Sequence, residues 1–305
     1  MNQPLIISGN ISGKNSRPII FGEVLFDCFP DGSRVLGGAP FNVAWHCQAF
    51  GLQPLFISRV GNDSLGREIQ SAMLDWGMDA SGMQVDSTQA TGIVDVSFDE
   101  GEPSYDIVEN SAWDFIDHQL MPEIDRQSIL YHGSLALRNP LAASSLLKLK
   151  QQCNKSIFID VNLRPPWWNP SLIERIMKNV RWIKLNVDEL ALIVPNEKNI
   201  EDQARYLFSN FHVELIIITQ GKAGAMAITQ NEQCSVQPNN ISKVVDTVGA
   251  GDAFSSVLLL GLYKAWPLQQ ILNRAQQFAS AVVGQRGATT QDKLFYQSFI
   301  KTWQL

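Results

Sequence analysis

Apolar residues arrive along this chain in short β-branched or aromatic bursts, at residues 18–21, 55–60, 129–131, 156–161, 181–185 and 214–219. Bursts of that length, with little polar alternation, predict strands buried on both faces. Between them, residues 42–50, 64–76, 141–152, 171–179, 200–208, 253–266 and 268–283 repeat their apolar positions at helical spacing. The alternation implies an α/β fold, a mostly parallel sheet covered by helices on both faces. Such sheets bind ligands beyond the carboxyl ends of their strands, so chemistry is expected in the loops that follow the bursts. Two stretches keep a different rhythm. Residues 23–36 and 91–108 alternate apolar and polar side chains, with turn residues at Asp31-Gly32 and Asp99-Glu100-Gly101. They predict antiparallel strands outside the main sheet, a small β-layer able to cover a cleft. With no internal repeat or low-complexity linker, residues 1–305 read as a single domain whose lid is formed by about 23–36 and 91–110.

Composition narrows the function more than the fold. The 305 residues, 45% of them hydrophobic, suffice for a large core. A formal charge of -6 gives no electrostatic footprint for nucleic acid or an anionic membrane, so a small-molecule partner is expected. Cys28, Cys47, Cys153 and Cys234 show no C-x-x-C spacing, which argues against zinc and suits a reducing compartment. The patch Leu5-Ile6-Ile7 lacks the flanks of a signal peptide, and nowhere do about 18 apolar residues run together. The expected location is cytoplasmic.

The strongest chemical signal is Asp246-Thr247-Val248-Gly249-Ala250-Gly251-Asp252, set directly before the apolar helix 253–266. A helix start offers unpartnered N–H groups and partial positive charge, and glycines let an anionic group approach the backbone. A carboxylate there can accept a proton from an attacking hydroxyl while the amides hold phosphoryl charge. Asp252 could equally be a helix cap. Gly37-Gly38-Ala39-Pro40-Phe41-Asn42 precedes the helix 42–50 and fits either a close ligand approach with Asn42 on a polyol hydroxyl, or a tight turn capped by Asn42.

Three further clusters follow strands. Asp27 comes after the first burst, where a carboxylate can receive sugar hydroxyls or remain a solvated loop residue. Asp160, Asn162 and Arg164 would share one side of an extended segment, with an internal Asp160–Arg164 ion pair as the alternative. Asn186 and Glu189 offer oxygen atoms to hydrated Mg2+, or form a capping box. Thr219, Gly221 and Gly224 make a glycine turn that suits nucleotide phosphates or a plain β-turn. No phosphate-binding P-loop is present, since Gly9 to Asn15 only approximates one, and no dinucleotide fingerprint appears. His46, His118, His132 and His212 lack a catalytic or metal context, and the eight Trp lack basic neighbours arranged for stacking on bases.

In this order the motifs resemble the ribokinase-like (PfkB) family of carbohydrate kinases, over about residues 19–289. Gly37 to Ala44, with Gly51 and Gly61, matches its first signature and Asp246 to Phe254 its second. The resemblance implies a three-layer α/β/α sandwich with a small β-strand lid, ATP as donor, Asp252 as catalytic base and Gly249, Ala250 and Gly251 as the anion hole. It places Asp27, Gly37, Gly38, Asn42, Asn162 and Arg164 on the sugar. Asn186 and Glu189 fall in the Mg2+–water network, and Asn186, Thr219, Gly221, Gly224 and Gln276 around the nucleotide. It also suggests a monovalent cation such as K+ at Asp246 with carbonyls near Val248 and the Arg286-Gly287-Ala288 turn. Gly22-Glu23, the Gly-Gly-Ala-Pro form and Asp160-x-Asn162-x-Arg164-Pro165 look most like fructokinases, with 2-keto-3-deoxygluconate kinase as runner-up and a nucleoside kinase behind. A catalytically silent sugar sensor on the same fold is the alternative of another class. The lid departs from the fructokinase pattern at Gly101 to Ile107 and at Ala112-Trp113-Asp114, and Gln276 stands where the family often has Asn or His. Open lid edges suggest a homodimer through the lid.

Overall fold

The computed structural model describes residues 16–99, 102–153, 156–238 and 244–305. The Leu5-Ile6-Ile7 patch, the Gly9 to Asn15 stretch and residues 100 and 101 of the lid turn lie outside them.

The main sheet is built from β1 (Ile19–Phe21), β4 (Leu55–Gly61), β5 (Met83–Asp86), β8 (Leu130–His132), β9 (Ile157–Asp160), β10 (Trp182–Asn186), β11 (Leu215–Thr219), β12 (Ala225–Ile228) and β13 (Gln233–Val236). Their order is β13-β12-β11-β10-β9-β8-β1-β4-β5, and every pairing from β11 to β5 is parallel. The hairpin β12–β13 adds the antiparallel edge. β2 (Leu25–Cys28), β3 (Arg34–Gly37), β6 (Gly92–Asp99) and β7 (Glu102–Ile107) form a separate sheet in the order β3-β2-β6-β7, the expected lid. Its pairings β2–β3 and β6–β7 are antiparallel as expected, whereas the central pair β2–β6 is parallel.

Strand parity sorts the core. Ile20, Phe56, Tyr131, Phe158, Trp182 and Ile217 pack with the helices α1 (Ala39–Ala49), α2 (Ser64–Asp75), α7 (Ala250–Tyr263), α8 (Leu268–Val283) and α9 (Lys293–Trp303). Their odd-or-even neighbours Ile19, Ile57, Leu130, Ile157, Ile183 and Ile216 pack with α3 (Pro140–Gln152), α4 (Pro170–Met177), α5 (Val187–Ile193) and α6 (Ile200–Phe211). Successive side chains on a strand face opposite ways, so a fully apolar burst fills both layers at once and the three-layer sandwich follows. β5, the β12–β13 hairpin, α5 and α9 fall outside the predicted set. β13 is half-exposed, and β12, though largely buried, is a four-residue run with two alanines, too short and small to stand out as a burst. No helix among the described residues is long and apolar enough to cross a membrane.

Two local predictions are corrected. Asn42 does not cap α1: the helix begins at Ala39 with Gly38 at the cap and Pro40 in its first turn, where a fixed φ and a missing N–H fit best. Residues 160–164 are not extended either. Asp160 ends β9 beside its register partner Lys184 and pairs with that lysine rather than with Arg164, and Asn162, at φ 42, then turns the chain so that Arg164 does not continue the strand's alternation.

Candidate active site

β1 ends against the start of the lid at Gly22-Glu23-Val24, and the other groups gather on this crossing. Gly38, with φ 109, lets α1 start flush against it: a Cβ there would lie 2.7 Å from the Glu23 carbonyl oxygen. Asp27 on β2 comes to the same place, since a Cβ on Gly37 would lie 3.6 Å from its Oδ2. Burial raises the Asp27 carboxyl above its ordinary range.

α7 faces this crossing with its amino end. Gly249 caps it at φ 78, ψ -3, a left-handed conformation that glycine adopts without strain. Behind it stands the 286–288 turn: a Cβ on Gly249 would lie 2.3 Å from Cβ and 2.5 Å from Cα of Ala288. The turn is fixed from the core. His46 Nε2 lies 3.0 Å from the Ala288 carbonyl and Nδ1 lies 2.9 Å from the Tyr296 hydroxyl. Burial pushes the imidazole down to about 3, so it is neutral and, because a carbonyl only accepts, its one proton sits on Nε2. Asp246 ties the same turn to the loop before α7, accepting from Val248 N at 2.9 Å and Gly287 N at 3.1 Å.

Asp252 is in the first turn of α7, and its Oδ2 accepts from Asn42 Nδ2 at 2.8 Å. Burial raises the carboxyl to about 6, with the nearby Asp160 charge adding to the rise while Asn42, Lys184 and Arg164 hold it down. At neutral pH it is therefore mainly ionised and close to the optimum for accepting a proton. Below it Asp160 Oδ2 accepts from Lys184 Nζ at 2.7 Å, Ser255 Oγ at 2.7 Å and Tyr131 hydroxyl at 3.1 Å. Lys184 is almost wholly buried, and a Cβ on Gly251 would lie 3.5 Å from its Nζ, so a fixed cation underlies the helix start.

The expected residues at the next strands meet in part. Asn186 and Thr219 are register partners on β10 and β11. Asn186 caps α5 in a complete capping box: its Oδ1 accepts from Glu189 N, and Glu189 Oε2 accepts from Asn186 N, both at 2.8 Å. Glu189 Oε1 accepts from Leu163 N at 2.8 Å, joining this cap to the loop of Asn162 and Arg164. Gly221, φ 55, faces open space, while Gly224 has φ 96 and a Cβ on it would lie 1.9 Å from the Val236 carbonyl, so both its backbone and its packing on β13 require glycine. Gln276 lies on α8, bonded to Ser280. Arg164 is exposed and bonds only the Leu163 carbonyl.

Three groups escape the sequence reading as site residues. Lys184 was detectable as a cation inside an otherwise apolar burst. Glu23 is marked by Gly22-Glu23 as part of the fructokinase-like pattern, but the sequence assigns it no contact. Arg138 is the third: it pairs with Asp114, donates to the Ile107 and Val108 carbonyls, and lies between the Trp113 and Trp167 rings at 4.2 and 4.6 Å. It thereby fastens the lid's last strand to the loops at the sheet's carboxyl end.

Among the described residues no group of three or more His, Cys, Asp or Glu converges, so a divalent ion would have no protein cage here. Mg2+ keeps most of its water and takes one or two carboxylates plus phosphates, a demand that Glu189 can meet through water beside Asn186.

Comparison with known proteins agrees with the geometry. The profile of pfkB family carbohydrate kinases matches residues 28–293. A fructokinase of Klebsiella pneumoniae is 32% identical over 262 residues, 81% of this chain and 85% of its own. A double mutant of the fructokinase of Vibrio cholerae O395, solved with fructose, ADP and potassium, has a TM-score of 0.80 at 27% identity, over 92% of this chain and 97% of that one. An aminoimidazole riboside kinase of Salmonella enterica, complexed with aminoimidazole riboside and an ATP analogue, has a TM-score of 0.80 at 25% identity, over 93% and 100%.

Proposed function

Because this chain belongs to the pfkB family of carbohydrate kinases, we propose that it transfers the γ-phosphoryl group of ATP to a primary hydroxyl of a small sugar, with fructose the preferred acceptor. The observation that carries this reading is the bond from Asn42 to Asp252, which joins the two glycine-bearing segments at the amino end of α7. Asp252 takes the proton of the sugar hydroxyl as the oxygen bonds to the γ-phosphorus. The bond to the β–γ bridging oxygen breaks and ADP leaves with that electron pair. The amides at Gly249, Ala250 and Gly251 hold the charge of the transferring group, and Lys184 beneath them adds a fixed positive field. Asp27, Gly37, Gly38, Asn42, Asn162 and Arg164 receive the sugar. Asn186, Thr219, Gly221, Gly224 and Gln276 line the nucleotide side. Mg2+, held through Glu189 and Asn186, would neutralise phosphate charge.

Fructose is favoured by the Klebsiella and Vibrio fructokinases. The Salmonella kinase supports a riboside as second reading, because the lid that covers the acceptor departs from the fructokinase pattern at Trp113-Asp114. ADP release measured with fructose, 2-keto-3-deoxygluconate, ribose, adenosine and aminoimidazole riboside decides. Fructose is expected to give the highest kcat/KM; another winner overturns the acceptor, and silence with all five makes the protein a sensor on a kinase fold. The four free cysteines and the use of ATP favour the cytoplasm. Val35, Phe98 and Tyr105, all exposed, lie on one face of the lid sheet and support pairing of two copies there, which sedimentation on the same preparation reads as a monomer or a dimer.

A monovalent cation at Asp246 is part of this proposal. Asp246 bridges the loop before α7 and the 286–288 turn, so a cation bound there would fix the anion-hole amides without touching substrate. Replacing potassium by a bulky organic cation at equal ionic strength is expected to lower kcat with little change in either KM. Equal rates in both salts would leave Asp246 a turn residue only.

A further inference from the structure

At the crossing of β1 and the lid Glu23 is 3% exposed, and its Oε2 has no hydrogen-bond partner among the described residues. Asn42, 4% exposed, has the same deficit at Oδ1, while its Nδ2 is committed to Asp252. Buried acceptors without a donor are rare and cost stability, so two of them on adjoining segments beside one catalytic carboxylate call for a ligand that brings donors. A polyol does: each hydroxyl donates one proton. The charged groups that act on the Glu23 carboxyl are those of the cleft, namely Arg164 on the β9 loop, Asp252 on α7 and Arg138 behind the lid.

We propose that Glu23 is an acceptor-binding residue whose Oε2 takes a hydrogen bond from a sugar hydroxyl other than the one Asp252 deprotonates. The proposal rests on the carbohydrate-kinase reading and adds to it a contact that selects among polyols. Glu23 is not the base, because the amides that hold the phosphoryl group belong to α7 and Asp252 is the carboxylate in that turn. Glu23 sits instead on the segment that leads into the lid, between the sheet and Asp27. Its side chain therefore reads the sugar from the lid side of the cleft while Asn42 reads it from α1. Burial raises the Glu23 carboxyl to about 7, and Asp252 adds to the rise while Arg164 and Arg138 oppose it. A hydroxyl donated to Oε2 would restore the ionised form on binding.

The test crosses the residue with the hydroxyl. kcat and KM are measured for fructose and its single-deoxy analogues in the wild type, Glu23→Ala and Glu23→Gln, with KM for ATP alongside. Glu23→Ala is expected to raise KM for fructose about tenfold to a hundredfold, with KM for ATP within about twofold. For one analogue, the sugar lacking the contacted hydroxyl, the penalty should vanish. A penalty equal across all analogues, or shared by ATP, makes Glu23 a structural residue and overturns the proposal; so does no penalty. Glu23→Gln keeps the volume and is read by the same cycle if Glu23→Ala fails to fold. Wild-type turnover separates the two readings: an inactive wild type removes the kinase assignment and this proposal with it, whereas an active wild type with a uniform penalty removes only the role of Glu23.

Discussion

Asp252→Asn is expected to lower kcat by about two to four orders of magnitude, the usual worth of a general base. The substitution keeps the side chain's size, leaves an oxygen to accept from Asn42, and stays in the first turn of α7, so neither the helix nor the nucleotide side should change. KM for ATP is therefore expected to stay near the wild-type value, and the loss to sit in turnover. The pH profile adds a second signature. Since burial raises this carboxyl to about 6, wild-type kcat/KM should fall as pH drops through that value, where the base becomes protonated. In kcat, which reports the complex with sugar bound, the residual activity of the variant should lack the limb near 6, because an amide does not titrate, whereas a fall in kcat/KM from the Glu23 carboxyl, raised to about 7, would remain. Steady-state kinetics between pH 5 and pH 8 reads both effects together. A variant that keeps more than about a tenth of wild-type turnover would show that Asp252 is a cap and not the base.

Gly249→Ala should cost about as much by a different route. The residue's left-handed φ of 78 disfavours a side chain, and the added Cβ would lie 2.5 Å from a backbone atom of Ala288 that His46 and Tyr296 hold in place. With the turn pinned from the core, the start of α7 has to move, and the amides move with it. Loss of one well-aimed donor costs roughly two to three orders of magnitude in kcat, and the backbone strain about 1–3 kcal/mol of stability. Gly251→Ala is the control for stability, since its Cβ would meet Lys184 Nζ at an ordinary 3.5 Å, although as an anion-hole residue it should lose turnover as well. Kinetics paired with denaturant unfolding tests the contrast. If both variants lose turnover equally while Gly249→Ala unfolds like the wild type, the steric account is wrong.

How much of this was legible differs from residue to residue. Period and burst length suffice for the central strands, because a parallel strand buried on both faces has to be apolar at every position, as Ile19, Ile20 and Phe21 are, whereas the edge strand β5 (Met83–Asp86) is half polar and shows no burst. They were enough for the glycines beside Asp252 too, since glycine next to a carboxylate at a helix start has a local chemical meaning. The grouping of Asp160 with Asn162 and Arg164 fails because the left-handed turn at Asn162 ends the alternation and the β9–β10 register sets Asp160 beside Lys184, neither of which spacing encodes. Gly224 reads as a phosphate glycine in the sequence, and the structure adds a second demand that spacing does not show, the close Val236 carbonyl. Glu23 stands in the fructokinase-like Gly22-Glu23 pair, but its role does not follow from that: what points to a ligand is a missing partner, and a missing partner exists only once every neighbour is placed.

The bonds that complete the reaction centre share one property. Asn42 meets Asp252 across 210 positions, His46 meets Ala288 across 242, and His46 meets Tyr296 across 250. Each closes a loop that takes in most of the chain, and loop-closure entropy makes such contacts the most expensive to form before the sheet is in place. Neither glycine signature has catalytic meaning as a fragment. The centre has no local nucleus, so it is assembled by the finished fold and is as cooperative as that fold itself.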